Sequence, residues 1–260
     1  MQALVHALAA HPLAALVPMI AAAWLVAGVA WAVARRAHAG PHGVHGGRPW
    51  LPCAVVGAAG ACVFLAMAIA VSAAGRDVPA FDRLLAAQLA AHAPDASLRA
   101  LSWLTHLGDR NGLIVLGATV FVALAWRGHV RLALLWALAT AGGGSLNTLI
   151  KHAFARVRPD ALHGYAYADG FSFPSGHAAG AMAVYGMLGY LALRLSPPRW
   201  HWPALLAASA IIATVGWSRV ALQVHYASDV LAAWGATGAW LAGCVGLGGQ
   251  CCRPAPRVIP

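Results

Sequence analysis

Apolar and polar positions along this chain fall into long blocks. Seven apolar runs, at roughly 13 to 34, 51 to 74, 112 to 126, 130 to 150, 176 to 194, 203 to 218 and 228 to 248, each approach the ~20 residues with which a helix crosses a bilayer core. The third run is short. Between the second and third lies a 37-residue stretch, 75 to 111, that carries Asp77, Asp82, Asp95 and Asp109. Within it Phe81, Leu84, Leu85 and Leu89 recur at helical spacing, which predicts an amphipathic helix lying on the membrane surface. The pattern as a whole predicts an all-α fold, a polytopic membrane helix bundle.

Composition agrees with that pattern. With 61% hydrophobic and 9% charged residues among 260, the chain lacks the polar surface that a soluble globule needs. The formal net charge of +10 does not point to nucleic acid, because the basic residues stand at the ends of apolar runs and form no stripe or cluster. Membrane orientation accounts for them instead. Short loops rich in Arg stay cytoplasmic, and every alternate connection is basic: Arg35, Arg36 and Arg48, then Arg127 and Arg131, then Arg194 and Arg199, then Arg253 and Arg257. The N-terminus and the connections 75 to 111, 151 to 175 and 219 to 227 are then expected to face outward.

The first run has its basic residues after it and no charged region before it, so a retained helix is expected rather than a signal peptide. The expected organisation is an N-terminal transmembrane helix with a basic cytoplasmic linker over 1–50, a membrane-embedded domain over 51–250, and a cytoplasmic tail over 251–260. His38, His42 and His45 sit among glycines in the linker and read as a flexible loop rather than a metal site. Cys53, Cys62, Cys244, Cys251 and Cys252 have no metal-ligand spacing and are expected as free thiols, with Cys251 and Cys252 as boundary cysteines rather than acylation sites.

Unusual polar residues gather in the outward connections. Sixteen Arg, no Glu and a single Lys, Lys151, make that one ammonium conspicuous. It opens the block KHAFARVRP, Lys151 to Pro159. A helix continuing past the fourth run would put Lys151 and Arg158 on one face two turns apart, forming an anion site. In FSFPSGHAAG, Phe171 to Gly180, Pro174 and Ser175 stand where a helix begins. Free amides there bind phosphate, Gly176 allows close approach, and His177 falls beside the anion. In SRVALQVHYASD, Ser218 to Asp229, His225 and Asp229 are four apart and are expected on one helical face. The carboxylate would fix the imidazole tautomer that leaves a ring nitrogen free to attack, and Arg219 adds a phosphate-binding fork. Each block alone has a bland reading as a snorkelling cation, a solvated histidine or an ordinary helix start. All three fall on one predicted membrane face.

These residues resemble the signature of the type 2 phosphatidic acid phosphatase superfamily: Lys-x6-Arg-Pro, then Pro-Ser-Gly-His, then Ser-Arg-x5-His-x3-Asp. All three blocks are present in full and in order, at Lys151 to Pro159, Pro174 to His177 and Ser218 to Asp229. The resemblance extends from about 52 to 248 and implies the six-helix core of the membrane branch, so the first helix is an addition to it. It implies that His225 attacks phosphorus to give a phosphohistidine, that Asp229 orients His225, and that His177 protonates the leaving oxygen and later activates water. Lys151, Arg158, Ser175, Gly176 and Arg219 would bind the phosphoryl oxygens. No metal and no cofactor are implied.

The implied substrate is a lipid phosphate in the bilayer, such as undecaprenyl diphosphate, phosphatidylglycerophosphate or phosphatidic acid. The outward face of the site and the Ala- and Arg-rich composition give an expected location in the inner membrane of a bacterium, with the site facing the periplasm. Three other readings share some of these features. Vanadate-dependent haloperoxidases use the same motif but are soluble chains. A lipid phosphotransferase would use the same site with an acceptor hydroxyl in place of water. A transporter would also have many helices, but the charges here gather at one face and no internal repeat is visible.

Overall fold

The computed structural model describes the backbone of residues 2–38, 50–73, 79–159 and 163–251, and side chains within 2–32, 50–73, 79–159 and 163–248. The expectations for Arg35, Arg36, Arg48, Arg253, Arg257, the linker histidines, Asp77, Cys251 and Cys252 fall outside the residues whose side chains are described. Cys53, Cys62 and Cys244 are free thiols, as expected.

The described residues form ten α-helices and two 3₁₀ turns. The helices are α1 (Gln2–Ala10), α2 (Leu16–His38), α3 (Leu51–Ala73), α4 (Ala80–His92), α5 (Asp95–Leu104), α6 (Arg110–Trp126), α7 (Val130–Phe154), α8 (Gly176–Leu195), α9 (His201–Ala221) and α10 (Ala227–Cys251). Six helical segments are long and apolar enough to cross a membrane: 51–73, 95–126, 130–154, 176–195, 198–221 and 227–248. Only half or less of each span's apolar stretch is buried inside the protein, so the remainder forms an apolar exterior suited to lipid.

The third apolar run, 112 to 126, is the short helix α6, and the apolar stretch extends ahead of it. Helix α5 leads through a 3₁₀ turn, Thr105–Gly108, into α6, so that the 32 residues from Asp95 to Trp126 form one apolar stretch. The polar character of Asp95 and Asp109 masked it. Asp95 sits in the first turn of α5, and Asp109 caps α6 by accepting from the Asn111 and Gly112 amides, a position that favours a carboxylate.

The predicted amphipathic helix exists as α4, and its apolar face is turned onto the bundle. Leu85 and Leu89 are buried with Ala178, Trp217 and Val224, while Phe81 remains exposed. Beside α4 lies α1, whose Val5 and Ala9 are buried in the same cluster. The segment ahead of residue 13 was not read as a helix from the pattern.

Helix α2 runs antiparallel to α9 along its length. At one end the Trp217 indole donates to the Pro12 carbonyl at 2.7 Å. Midway Trp24 donates to Leu206 O at 3.0 Å, and at the far end Trp31 packs edge-on against His201. Its apolar part, Leu16–Ala32, is shorter than the six spans. The tightest crossing joins α3 to α10. A Cβ on Gly60 would stand 2.7 Å from Gly235 O, and one on Gly235 would stand 2.7 Å from Phe64 N, so two backbones touch where side chains have been removed.

Candidate active site

The three polar blocks converge at one end of the bundle, and each is delivered by a helix terminus. Helix α7 ends at Phe154 because Ala155 adopts a left-handed conformation at φ 46°. The described residues between there and α8, 155–159 and 163–175, are non-helical, with Pro159 disfavouring helix at Arg158. The expectation that Lys151 and Arg158 share one helical face is therefore wrong: Lys151 lies in the last turn of α7 and Arg158 on the irregular segment beyond it. They still face one cavity. Helix α8 begins at Gly176 with Ser175 as its cap, Oγ accepting from Ala178 N at 3.4 Å. Helix α9 supplies Arg219 from its last turn.

A second correction concerns His225. It precedes α10 in a tight turn, so His225 and Asp229 do not lie on one helical face. Asp229 occupies the first turn of α10 and accepts from Tyr226 N at 2.8 Å, which caps the helix start. That arrangement still brings Asp229 Oδ2 to 3.5 Å from His225 Nδ1. The four-residue spacing was right and the helical face was not.

The cavity has a volume of about 940 Å³. At the site end it is lined by Lys151, Arg158, Gly176, His177, Arg219 and His225. Ser175 and Asp229 are fully buried and stand behind this lining. Among the described residues no carboxylate forms an ion pair with these cations. Lys151 Nζ donates to Phe171 O. Arg158 donates to Asp169 O, Gly170 O and Val224 O at 2.8, 2.9 and 2.6 Å, and its Nη1 lies 3.0 Å from His225 Nε2. Arg219 is 2% exposed, donates from Nη1 to Thr105 Oγ1 at 3.0 Å, and leaves Nε and Nη2 buried with no hydrogen-bond partner. Orphaned guanidinium donors at a cavity wall each cost about 1–3 kcal/mol and are the signature of an anion site.

His225 is 3% exposed. Burial pushes its imidazole down to about 4, against the opposing hydrogen bond and charge of Asp229, and nearby Arg158 and Arg219 add to the depression. The ring is therefore neutral at ordinary pH. With Nδ1–H facing Asp229, the lone pair on Nε2 points to the Arg158 side of the cavity, where a phosphoryl group held by Arg158 would meet it. Burial also lowers the pKa of Arg158, against the pull of Asp229 and Asp169.

Sequence reasoning missed three members of the site's support. Ser172 Oγ donates to Asp229 Oδ2. Arg156 Nη1 donates to Asp229 Oδ1 at 2.6 Å, and its Nη2 reaches Asp82 Oδ2 at 3.0 Å. Asp82 was counted among extramembrane acids. The available signal was its register: Asp82, Leu85 and Leu89 share the buried face of α4, and a carboxylate on an apolar stripe implies a buried cation.

The three blocks thus assemble around a cationic recess at one end of a helical membrane bundle. Residues 130–250 match the model of the PAP2 superfamily. Among individual proteins it is similar to phosphatidylglycerophosphatase B of Bacillus subtilis (strain 168), with 33% identity over 138 residues, half of this chain and 65% of that protein. The chain thus spans just under two thirds of that relative's length. The crystal structure of the first transmembrane PAP2 type phosphatidylglycerolphosphate phosphatase from Bacillus subtilis is similar with a TM-score of 0.65 at 26% identity, covering 76% of this chain and 99% of the other.

Proposed function

We propose that the protein is an integral-membrane lipid phosphatase that hydrolyses a phosphomonoester or diphosphate of a lipid through a phosphohistidine on His225. The observation that carries this reading is the pair of buried, unpartnered Arg219 donors beside the neutral His225. In the first step His225 Nε2 attacks phosphorus as the P–O bond to the lipid breaks, and His177 gives its proton to the leaving oxygen. In the second step water attacks phosphorus, the P–N bond breaks, His177 takes the water's proton, and inorganic phosphate leaves. Lys151, Arg158, Arg219 and the α8 amides at Gly176 hold the phosphoryl oxygens. Three organic cations supply the charge that a metal would otherwise bring, so the reaction proceeds in a chelator.

The shape of the cavity supports a lipid substrate. From the cations it continues between α6, α7 and α8 along Leu113, Gly117, Phe121, Ala137 and Trp136. Lys151 to Trp136 corresponds to about 22 Å along α7 at 1.5 Å per residue, which suits an acyl chain. Phosphatidylglycerophosphate is the first candidate because the Bacillus subtilis matches carry that activity in their names, followed by undecaprenyl diphosphate and phosphatidic acid. The topology we propose puts the site on the periplasmic face of a bacterial inner membrane, with α2 as an additional span ahead of a phosphatase domain at 51–250 and a cytoplasmic tail at 251–260. The end-to-end packing of α2 on α9 supports that span.

The deciding experiment is phosphate release by the purified protein in EDTA from each of the three lipids, with His225→Ala alongside. The expected result is release that disappears in the variant and ranks the lipids. Release that requires magnesium would overturn the metal-free reading, and release unchanged in His225→Ala would overturn the nucleophile. For His177 the check is leaving-group dependence, since its loss is expected to slow lipid hydrolysis while sparing p-nitrophenyl phosphate.

A further inference from the structure

Behind the cavity wall, Arg156 lies between two buried carboxylates contributed by different helices. Its Nη1 donates to Asp229 Oδ1 at 2.6 Å and to Ser228 Oγ at 2.7 Å, and its Nη2 donates to Asp82 Oδ2 at 3.0 Å. Ser228 completes the set: its hydroxyl donates to Asp82 Oδ2 and its amide donates to Asp82 Oδ1 at 3.1 Å. The guanidinium carbon stands 4.3 Å from the centre of the Tyr226 ring. Side-chain exposure is 9% for Arg156, 2% for Asp82 and 0% for Asp229. Arg156, Asp82 and Ser228 are absent from the cavity lining, so Arg156 does not touch a bound phosphoryl group.

The division of labour on Asp229 is informative. Oδ2 faces His225 Nδ1 and also accepts from Ser172 Oγ and Tyr226 N. Oδ1 takes the charge-assisted bond from Arg156. A carboxylate held on both oxygens cannot rotate about its terminal torsion, so the oxygen presented to the imidazole is fixed. Without Arg156, the Asp82 and Asp229 carboxylates would remain buried with no cation between them, an arrangement that favours one of them swinging away.

We propose that Arg156, itself restrained by Asp82 of α4, is a positioning residue for the nucleophile: it locks the Asp229 carboxylate that orients His225. The inference rests on the reading of His225 as nucleophile. It makes α4 the outer brace of the reaction centre, and it gives the two arginines of the RVRP run different tasks, Arg158 holding phosphate and Arg156 holding the orienting acid. A plain structural staple would use the same ion pairs, so the test needs a readout that a staple does not move.

The test is a double-mutant cycle on the purified full-length protein, with kcat and KM measured by labelled phosphate release and thermal stability recorded in parallel. Arg156→Ala is expected to lower kcat by about 10–100-fold, the usual range for a group that orients a site ligand from behind, with KM changed less than about twofold. In an Asp229→Ala background the same substitution is expected to cost less than about twofold, because the group it positions is gone. Arg156→Lys, keeping charge but losing the fork, is expected to recover part of the rate. Asp82→Asn, which preserves shape, is expected to lower kcat by about fivefold through Arg156 alone, and it stands in if Arg156→Ala fails to fold. Equal losses in both backgrounds, a KM rise at constant kcat, or a normal rate in Asp82→Asn would overturn the proposal. Retained activity in His225→Ala would instead remove the reading beneath it, and the two failures are separable.

Discussion

Replacing Asp229 with Asn keeps the shape of the side chain and removes its charge, and the structure gives the scale of the loss. In the proposed mechanism, attack by Nε2 turns His225 into a cation whose Nδ1–H faces Asp229 Oδ2 at 3.5 Å. Unit charges at that separation interact by about 5 kcal/mol at an effective dielectric of about 20. Arg156, at 2.6 Å from the other carboxylate oxygen, already engages part of that charge. Taking roughly half as available to the imidazolium leaves about 2–3 kcal/mol, or about a hundredfold in rate at 1.4 kcal/mol per decade. The assay is rapid-quench measurement of phosphoenzyme from a radiolabelled phosphate ester, which isolates the phosphorylation step. The expected outcome is a burst slowed about a hundredfold, with the same amplitude and a KM within about twofold of wild type. A burst slowed less than fivefold, by this same arithmetic roughly 1 kcal/mol, would refute the claim that Asp229 stabilises the attacking imidazole.

Three further outcomes follow from the same geometry. Substituting Arg219 with Met removes the fork whose Nε and Nη2 lack partners; competitive inhibition by inorganic phosphate is expected to weaken by about 10–100-fold, the worth of one or two charge-assisted bonds, and unchanged inhibition would dismiss Arg219 as an anion ligand. Because burial depresses His225 to about 4, the proposed nucleophile stays neutral above that value and protonates below it. Phosphoenzyme formation is therefore expected to hold between pH 7 and 5 and to fall through pH ~4, while stability declines as pH drops from ~6.5, where the unfolded His begins to bind a proton that the folded His refuses; a loss of rate centred near pH 6.5 would contradict the neutral buried ring. Gly235→Ala drives a Cβ to 2.7 Å from Gly60 O and Phe64 N, so unfolding in detergent is expected to be easier by about 1–3 kcal/mol, and an unchanged transition would mean that the α3–α10 crossing relaxes freely.

The order of the motif blocks and the apolar runs was legible without coordinates because each is a local property. Span length, helix-start chemistry and the spacing of Lys151, Arg158, Gly176, His177, Arg219 and His225 are written in neighbouring residues, and those six do line one cavity. The errors arose where the backbone departs from a helix. Ala155 turns left-handed and ends α7 before Arg158, and the turn before α10 takes His225 off the helical face of Asp229. A periodic pattern carries no information about either event. The apolar stretch ahead of 112 was missed because two helix-starting aspartates read as polar loop.

What only the tertiary structure decided is the pairing of groups far apart in sequence. Asp82 and Asp229 meet at Arg156 because the first turns of α4 and α10 come together, Ser228 bonding Asp82, and α1 and α2 take their places against α4 and α9 through buried side chains such as Val5 and Trp217. Sequence determined which chemistry the chain carries, since ionisable residues inside an apolar bundle are costly and appear only where they have partners or ligands. Which partner each one has is settled by how the helices pack, because a buried charge is stabilised by whatever opposite charge the fold brings within a few ångströms, whatever its distance along the chain.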